Sequence, residues 1–166
     1  MIKFRGYIFI LFIIISASCN YSCKSSYEDV EYERSKIIST FEKLLSAIDS
    51  LQQVANASTI ADAYVSMHTE DAVLMFPGMP EVIGSKKIHS FILDFFQDYK
   101  FEFPEWKSEE IVVAGDWAFH RFSGIAVIIP KNGDDSIRLD RKYLDIHRKQ
   151  PNGEWKVARH IFNLNK

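Results

Sequence analysis

Apolar residues recur along this chain with two different periods, and the change between them divides it. From about Glu31, the residues Ile37, Phe41, Leu44, Leu45, Ile48 and Leu51 recur at helical spacing, with Glu33, Lys36, Glu42 and Lys43 on the other side. Asn56 and Ser58 interrupt this stripe. Ser58 is placed to cap a second helix over about 59–67, with Ile60, Ala61, Tyr64 and Val65 facing inward. Residues 71–76 then form an apolar run of strand length, stopped by Pro77-Gly78 and Pro80. Val82-Ile83 suits a brief return strand. Ser85 is placed to cap a third helix, whose stripe is Ile88, Phe91, Ile92, Phe95, Phe96 and Tyr99.

Beyond Trp106 the period shortens to two. Residues 110–113 read as one strand, and Gly115-Asp116 as a turn. Residues 117–129 are rich in β-branched and aromatic side chains and are closed by Pro130-Lys131-Asn132-Gly133, a hairpin signal. Residues 137–149 supply the partner strand. Pro151-Asn152-Gly153 is a further turn, and residues 155–164 form the last strand. A parallel α/β sheet needs helices between successive strands, and none fits here. Helices gathered early and a meandering antiparallel sheet later predict an α+β fold.

The first 18 residues belong to a different pattern. Lys3 and Arg5 precede a continuous apolar run over 7–15, and Ser16-Ala17-Ser18 closes it ahead of Cys19. That order predicts an export signal over 1–18, too short for a membrane span. Small residues directly before a Cys resemble a bacterial lipobox, although Ser16 stands where Leu is usual. Cys19 is therefore the expected lipidation site, residues 19–29 a polar tether, and 30–166 the folded domain. The expected location is the bacterial cell envelope, with the domain held at a membrane through Cys19. Cys19 and Cys23 are the only cysteines, and a disulfide between them is the alternative. The folded domain then has no thiol chemistry. Loss of Lys3 and Arg5 with the leader moves the net charge from −2 to −4, and no basic block remains. Nucleic acid is not an expected partner.

The stretches HTEDAVLMFPGMPEVIGSKKI, VVAGDWAF, RKYLDIHRK and NGEWKVARHIFN resemble the nuclear transport factor 2-like superfamily, within it the SnoaL-like proteins and domain of unknown function 4440. The resemblance implies a cone-shaped fold: a bent antiparallel sheet packed on three N-terminal helices, with a pocket at the wide end. It also implies a homodimer through the outer sheet face. The superfamily spans isomerases, dehydratases, cyclases and non-catalytic modules, so the resemblance specifies fold more than function. In the ketosteroid isomerase branch an Asp precedes the Pro that ends the first strand. Phe76 occupies that position here, and an apolar ring cannot abstract a proton.

Any acid–base chemistry must then come from later strands. All five histidines (His68, His89, His120, His147, His160) lie in the folded part. Period-two alternation puts Tyr143, Asp145 and His147 on one face, His160 with Ala158 and Phe162, and Arg159 with Trp155, Val157 and Ile161. A His160–Asp145 pair with Tyr143 nearby is the candidate catalytic set, a base oriented by a carboxylate. Phe76, Met75, His120, His147, Trp117 and Asn163 are the candidate pocket residues. A zinc site on His120, His147 and His160 lacks any close-spaced ligand motif, and no metal or other cofactor is expected. Three functions remain open: an unidentified small molecule bound in the cone, a cofactor-independent lyase or isomerase, and a dimeric assembly module.

Overall fold

The computed structural model describes residues 7–54 and 56–165, with side chains from residue 27 onward. The expected leader and Cys19 lie outside the residues whose side chains are described. The elements in order are α1 (Tyr7–Val54), α2 (Ala57–Ser66), β1 (His68–Met75), β2 (Val82–Ile83), α3 (Ser85–Asp98), β3 (Tyr99–Ala114), β4 (Trp117–Pro130), β5 (Ile137–Lys149) and β6 (Trp155–Leu164). Helix α1 starts well before the expected Glu31. The chain divides into two units, one ending at Ser35 and one beginning at Lys36. The first is helical and carries an Arg34–Glu31 ion pair one turn apart. Among the described residues, no helix is long and apolar enough to cross a membrane.

The second unit holds the sheet and the fold's two apolar clusters. Ile48 of α1, Ile60 and Ala61 of α2, Ala72 and Leu74 of β1, and Ile88, Ile92 and Phe96 of α3 form the larger one. The four-residue spacing of the α3 set is one face of a helix, as the stripe predicts. Ile37, Ile111, Ala118 and Trp155 form the smaller cluster.

Two caps differ from expectation. Asn56, not Ser58, caps α2: its side-chain oxygen accepts from the Thr59 backbone N–H at 3.0 Å. At α3 the cap position is Gly84, with φ +84°, and Ser85 is already the first helical residue. The glycine N–H donates to Ala72 O at 2.8 Å, which ties the turn to β1 in a conformation that residues with a Cβ resist.

The sheet order is β2-β1-β6-β5-β4-β3, bent and open. Every neighbouring pair is antiparallel except β1 and β6, which run parallel with Leu74 opposite His160. The wholly antiparallel sheet expected from sequence is corrected at this one pairing. A parallel neighbour needs a long crossover, and α3 with the four intervening strands supplies one. Strand β3 is also longer than expected and runs through Pro104. The register shifts between Glu102 and Glu105, and β3 is an edge strand, so the donor that Pro104 lacks is not missed.

Candidate functional site

Strand β5 builds the site. Arg141, Tyr143, Asp145 and His147 alternate with exposed or half-exposed neighbours and point to its buried face. Register then sets the partners. Asp145 lies opposite His120 of β4 and His160 of β6, and Tyr143 lies opposite Phe122 and Phe162. A β-bulge decides the β6 side. Ile146 pairs with Arg159 and His147 with Val157, so Ala158 is extra. Simple alternation separates Val157 from His160; the bulge returns both to one face, and both line the same cavity.

That cavity has a volume of about 300 Å³. Its walls are mainly aromatic and aliphatic, among them Phe41, Phe76, Phe91, Phe101 and Phe103. The polar exceptions include Tyr64, His68, Arg141, Tyr143, Asp145, His147 and His160. Asp145 and Tyr143 are buried, and His160 is partly exposed to the cavity.

The central contact joins His160 Nδ1 to Asp145 Oδ1 at 2.7 Å. Burial favours the protonated carboxyl of Asp145, but the adjacent His160, its hydrogen bond, and the nearby His147 and His68 outweigh this and hold its pKa below the ordinary value. Asp145 is thus an acceptor, and the Nδ1–H of His160 donates to it. In the neutral ring the Nε2 of His160 then carries the lone pair, and no hydrogen bond joins it to another of the described residues. Phe76 lies edge-on to this ring with centroids 5.8 Å apart. The arrangement is a base held in one tautomer by a carboxylate, with an apolar ring beside it.

The surrounding groups are kept neutral by burial. His68 is pulled down to about 4, although its Nδ1 lies 2.8 Å from Tyr64 O. His147 is also lowered by burial, and neither of its ring nitrogens has a hydrogen-bond partner among the described residues. Burial pushes the Tyr64 phenol up. It raises Tyr143 to about 12 against the pull of the nearby Arg141 guanidinium. The Tyr143 hydroxyl nevertheless lacks a well-formed hydrogen bond.

The structure thus brings His160, Asp145, Tyr143, Phe76 and His147 to one cavity. The other four expected pocket residues do not line it among the described residues. Trp117 is exposed on the opposite sheet face, under the Arg148 guanidinium. Met75 points away from Leu74's buried side. Asn163 is exposed past the end of the buried run. His120 is fully buried behind the cavity, between Phe41 and Phe122, with Nε2 2.9 Å from Ser108 Oγ. Among the described residues, no group of three His, Cys, Asp or Glu side chains is placed to hold a metal ion, so His120, His147 and His160 do not form the zinc site weighed above. Tyr64, His68 and Arg141 were not singled out from sequence. Arg141 was open to detection, since it continues the alternation of Tyr143, Asp145 and His147.

No protein-family model matches the chain, and no curated protein does. Solved structures do match. A ketosteroid isomerase-like protein from Erwinia carotovora atroseptica is 24% identical, with a TM-score of 0.59 over 75% of this chain and 95% of that one. A conserved protein from Planctomyces limnophilus is 20% identical, with a TM-score of 0.68 over 81% and 98%. A type 2 hexachlorocyclohexane dehydrochlorinase is 14% identical, with a TM-score of 0.61 over 80% and 85%. At these identities the likeness defines the fold. It is the nuclear transport factor 2-like α+β fold, here three helices on a six-stranded bent mixed sheet.

Proposed function

We propose that the cavity binds a small, largely apolar molecule and that His160 moves a proton on it, as in a cofactor-independent lyase or isomerase. The observation that carries this is the 2.7 Å His160–Asp145 contact in the wall of an apolar cavity of about 300 Å³. Asp145 sets the tautomer, and Nε2 takes the proton. Tyr143, neutral at physiological pH, supplies a hydrogen-bond donor to the same cavity. Solved neighbours named as ketosteroid isomerase-like and as a dehydrochlorinase are consistent with proton abstraction in such a cone. The base here comes from the late strands, because Phe76 occupies the first-strand position.

The test uses cyclic ketones such as 2-tetralone in D2O, with binding read by fluorescence and α-proton exchange by NMR. The wild type is expected to bind and to accelerate exchange. His160→Gln should lower the exchange rate by about 10²-fold or more, with the ketone still bound. Binding with exchange at the buffer rate leaves a binding module without catalysis. Absence of binding removes the whole reading.

We further propose that the domain is exported and anchored through a lipid on Cys19, supported by Lys3 and Arg5, the apolar run and Ser16-Ala17-Ser18. Mass spectrometry of the membrane fraction should find a lipidated N-terminal Cys19. An intact, unlipidated chain beginning at Met1 would exclude it. A dimer through the outer sheet face, the assembly reading, has its own support in exposed apolar residues there, including Trp117, Phe119 and Leu144.

A further inference from the structure

Arg141 is an unusual neighbour for an apolar cavity. It lines the cavity and is only 9% exposed. A guanidinium stays charged at any pH a protein tolerates, so burial cannot neutralise it. A buried charge of this kind is ordinarily matched by a carboxylate. Arg141 has no ion-pair partner among the described residues, and its Nε is buried without any hydrogen-bond partner. The one carboxylate on the same strand face, Asp145, is committed to His160. What holds the guanidinium is the Phe162 ring, whose centroid lies 4.2 Å from Cζ.

A second unsatisfied group stands beside it. Tyr143 follows Arg141 on the same face of β5, close enough for the guanidinium to act on its phenol, and its buried hydroxyl has no acceptor for its own proton among the described residues. A guanidinium without an ion pair and a phenol whose O–H finds no acceptor among the described residues, both in one wall of one cavity, describe half of a binding site. The missing half is an anion with at least two acceptor oxygens. The register relates the cation to the base: Phe162 faces Tyr143 and His160 faces Asp145, so Phe162 contacts the guanidinium and has its ring centroid 6.2 Å from that of His160.

We propose that Arg141 and Tyr143 form a carboxylate subsite, and that the molecule taken by the cavity is a small organic acid with an apolar, ring-sized body. Its carboxylate sits on the guanidinium and the phenol, and its body spans Phe162 to reach His160. This rests on the pocket reading above and adds the chemical class of the ligand. Neutral molecules of the same shape leave the guanidinium without a counter-charge and gain at most a weaker, uncharged hydrogen bond from it.

The test compares 2-naphthoate with its neutral carboxamide by calorimetry at pH 7. Loss of hydrogen bonds to a charged group corresponds to an affinity ratio of about 10- to 100-fold in favour of the acid. Arg141→Met should abolish that ratio. Tyr143→Phe should reduce the ratio only in part. Equal binding of acid and amide by the wild type overturns the subsite and leaves the pocket standing. A preference that survives in a folded Arg141→Met protein overturns the assignment to Arg141. Failure of both probes to bind removes the pocket reading and this inference together. The wild-type comparison decides the matter even if a variant fails to fold.

Discussion

His120 has no exposed surface, and His68 very little. Burial lowers both from the ordinary 6.5 to about 4. For His120 the Asp145 charge works against burial and His147 works with it. The unfolded chain takes up these protons near pH 6.5, and the folded protein resists until about pH 4. The folded state's advantage is therefore complete above pH 6.5, lost progressively between 6.5 and 4, and constant below that. Each ring contributes at most roughly 3 kcal/mol across the window. Burial lowers His147 too, so its contribution has the same sign. Urea midpoints should fall steeply from pH 7 to 4.5; a flat profile would contradict the burial of these rings. His120→Asn, which retains a polar group for Ser108, should flatten part of the slope. Arg141 behaves differently. Its charge is permanent and has no ion-pair partner among the described residues, so Arg141→Met should raise stability by about 1 kcal/mol even after the loss of the Phe162 contact. A lower midpoint in that variant would mean that the protein itself supplies the missing anion.

Strand β5 was legible in the sequence because nothing interrupts it. Tyr143, Asp145 and His147 alternate without a break, and the structure places them together. Strand β6 was not. Ala158 carries no sign of a bulge, being neither Gly nor Pro, yet the extra residue returns His160 to the side of Val157. The long β3 was hidden for a related reason. Pro104 reads as a stop, and only its place on an edge strand, in a register shift, makes it tolerable. Next to that shift stands Gly124 on β4, paired with Trp106. A Cβ there would come within 2.5 Å of both Glu105 O and Phe103 Cζ. The two strands approach this closely only because position 124 has no side chain. Gly124→Ala should cost about 1–3 kcal/mol, read as a lower urea midpoint. Phe103 also lines the cavity, so the same variant should weaken ligand binding. An unchanged midpoint would show that the strands part at no cost.

At the scale of the molecule, the α+β class and the meander were readable from periodicity and turn residues. Which face of the sheet is concave was not, because curvature comes from bulges and long-range pairing that a single sequence does not display. That choice sorts the residues of β3, β4 and β5 into two sets. The concave set carries the acid–base groups. The convex set includes Val112, Phe119, Trp117 and Leu144, each at least 36% exposed. Val112 pairs with Phe119, and Phe119 with the half-buried Ile146, so these side chains form a continuous apolar band across β3, β4 and β5. A band of this kind on a solvent-facing sheet is costly in a monomer. A second copy is the simplest cover, because a two-fold axis presents the same band to itself. Sedimentation velocity of the folded domain should show a dimer. Phe119→Lys places a charge in the middle of the band and should shift the protein to monomer. His160 and Asp145 lie on the other face of the sheet, so that monomer should keep its affinity for the cavity ligand. A wild-type monomer at high concentration would eliminate the dimer without touching the site, and loss of binding in a folded Phe119→Lys monomer would mean that the two faces are coupled through the sheet.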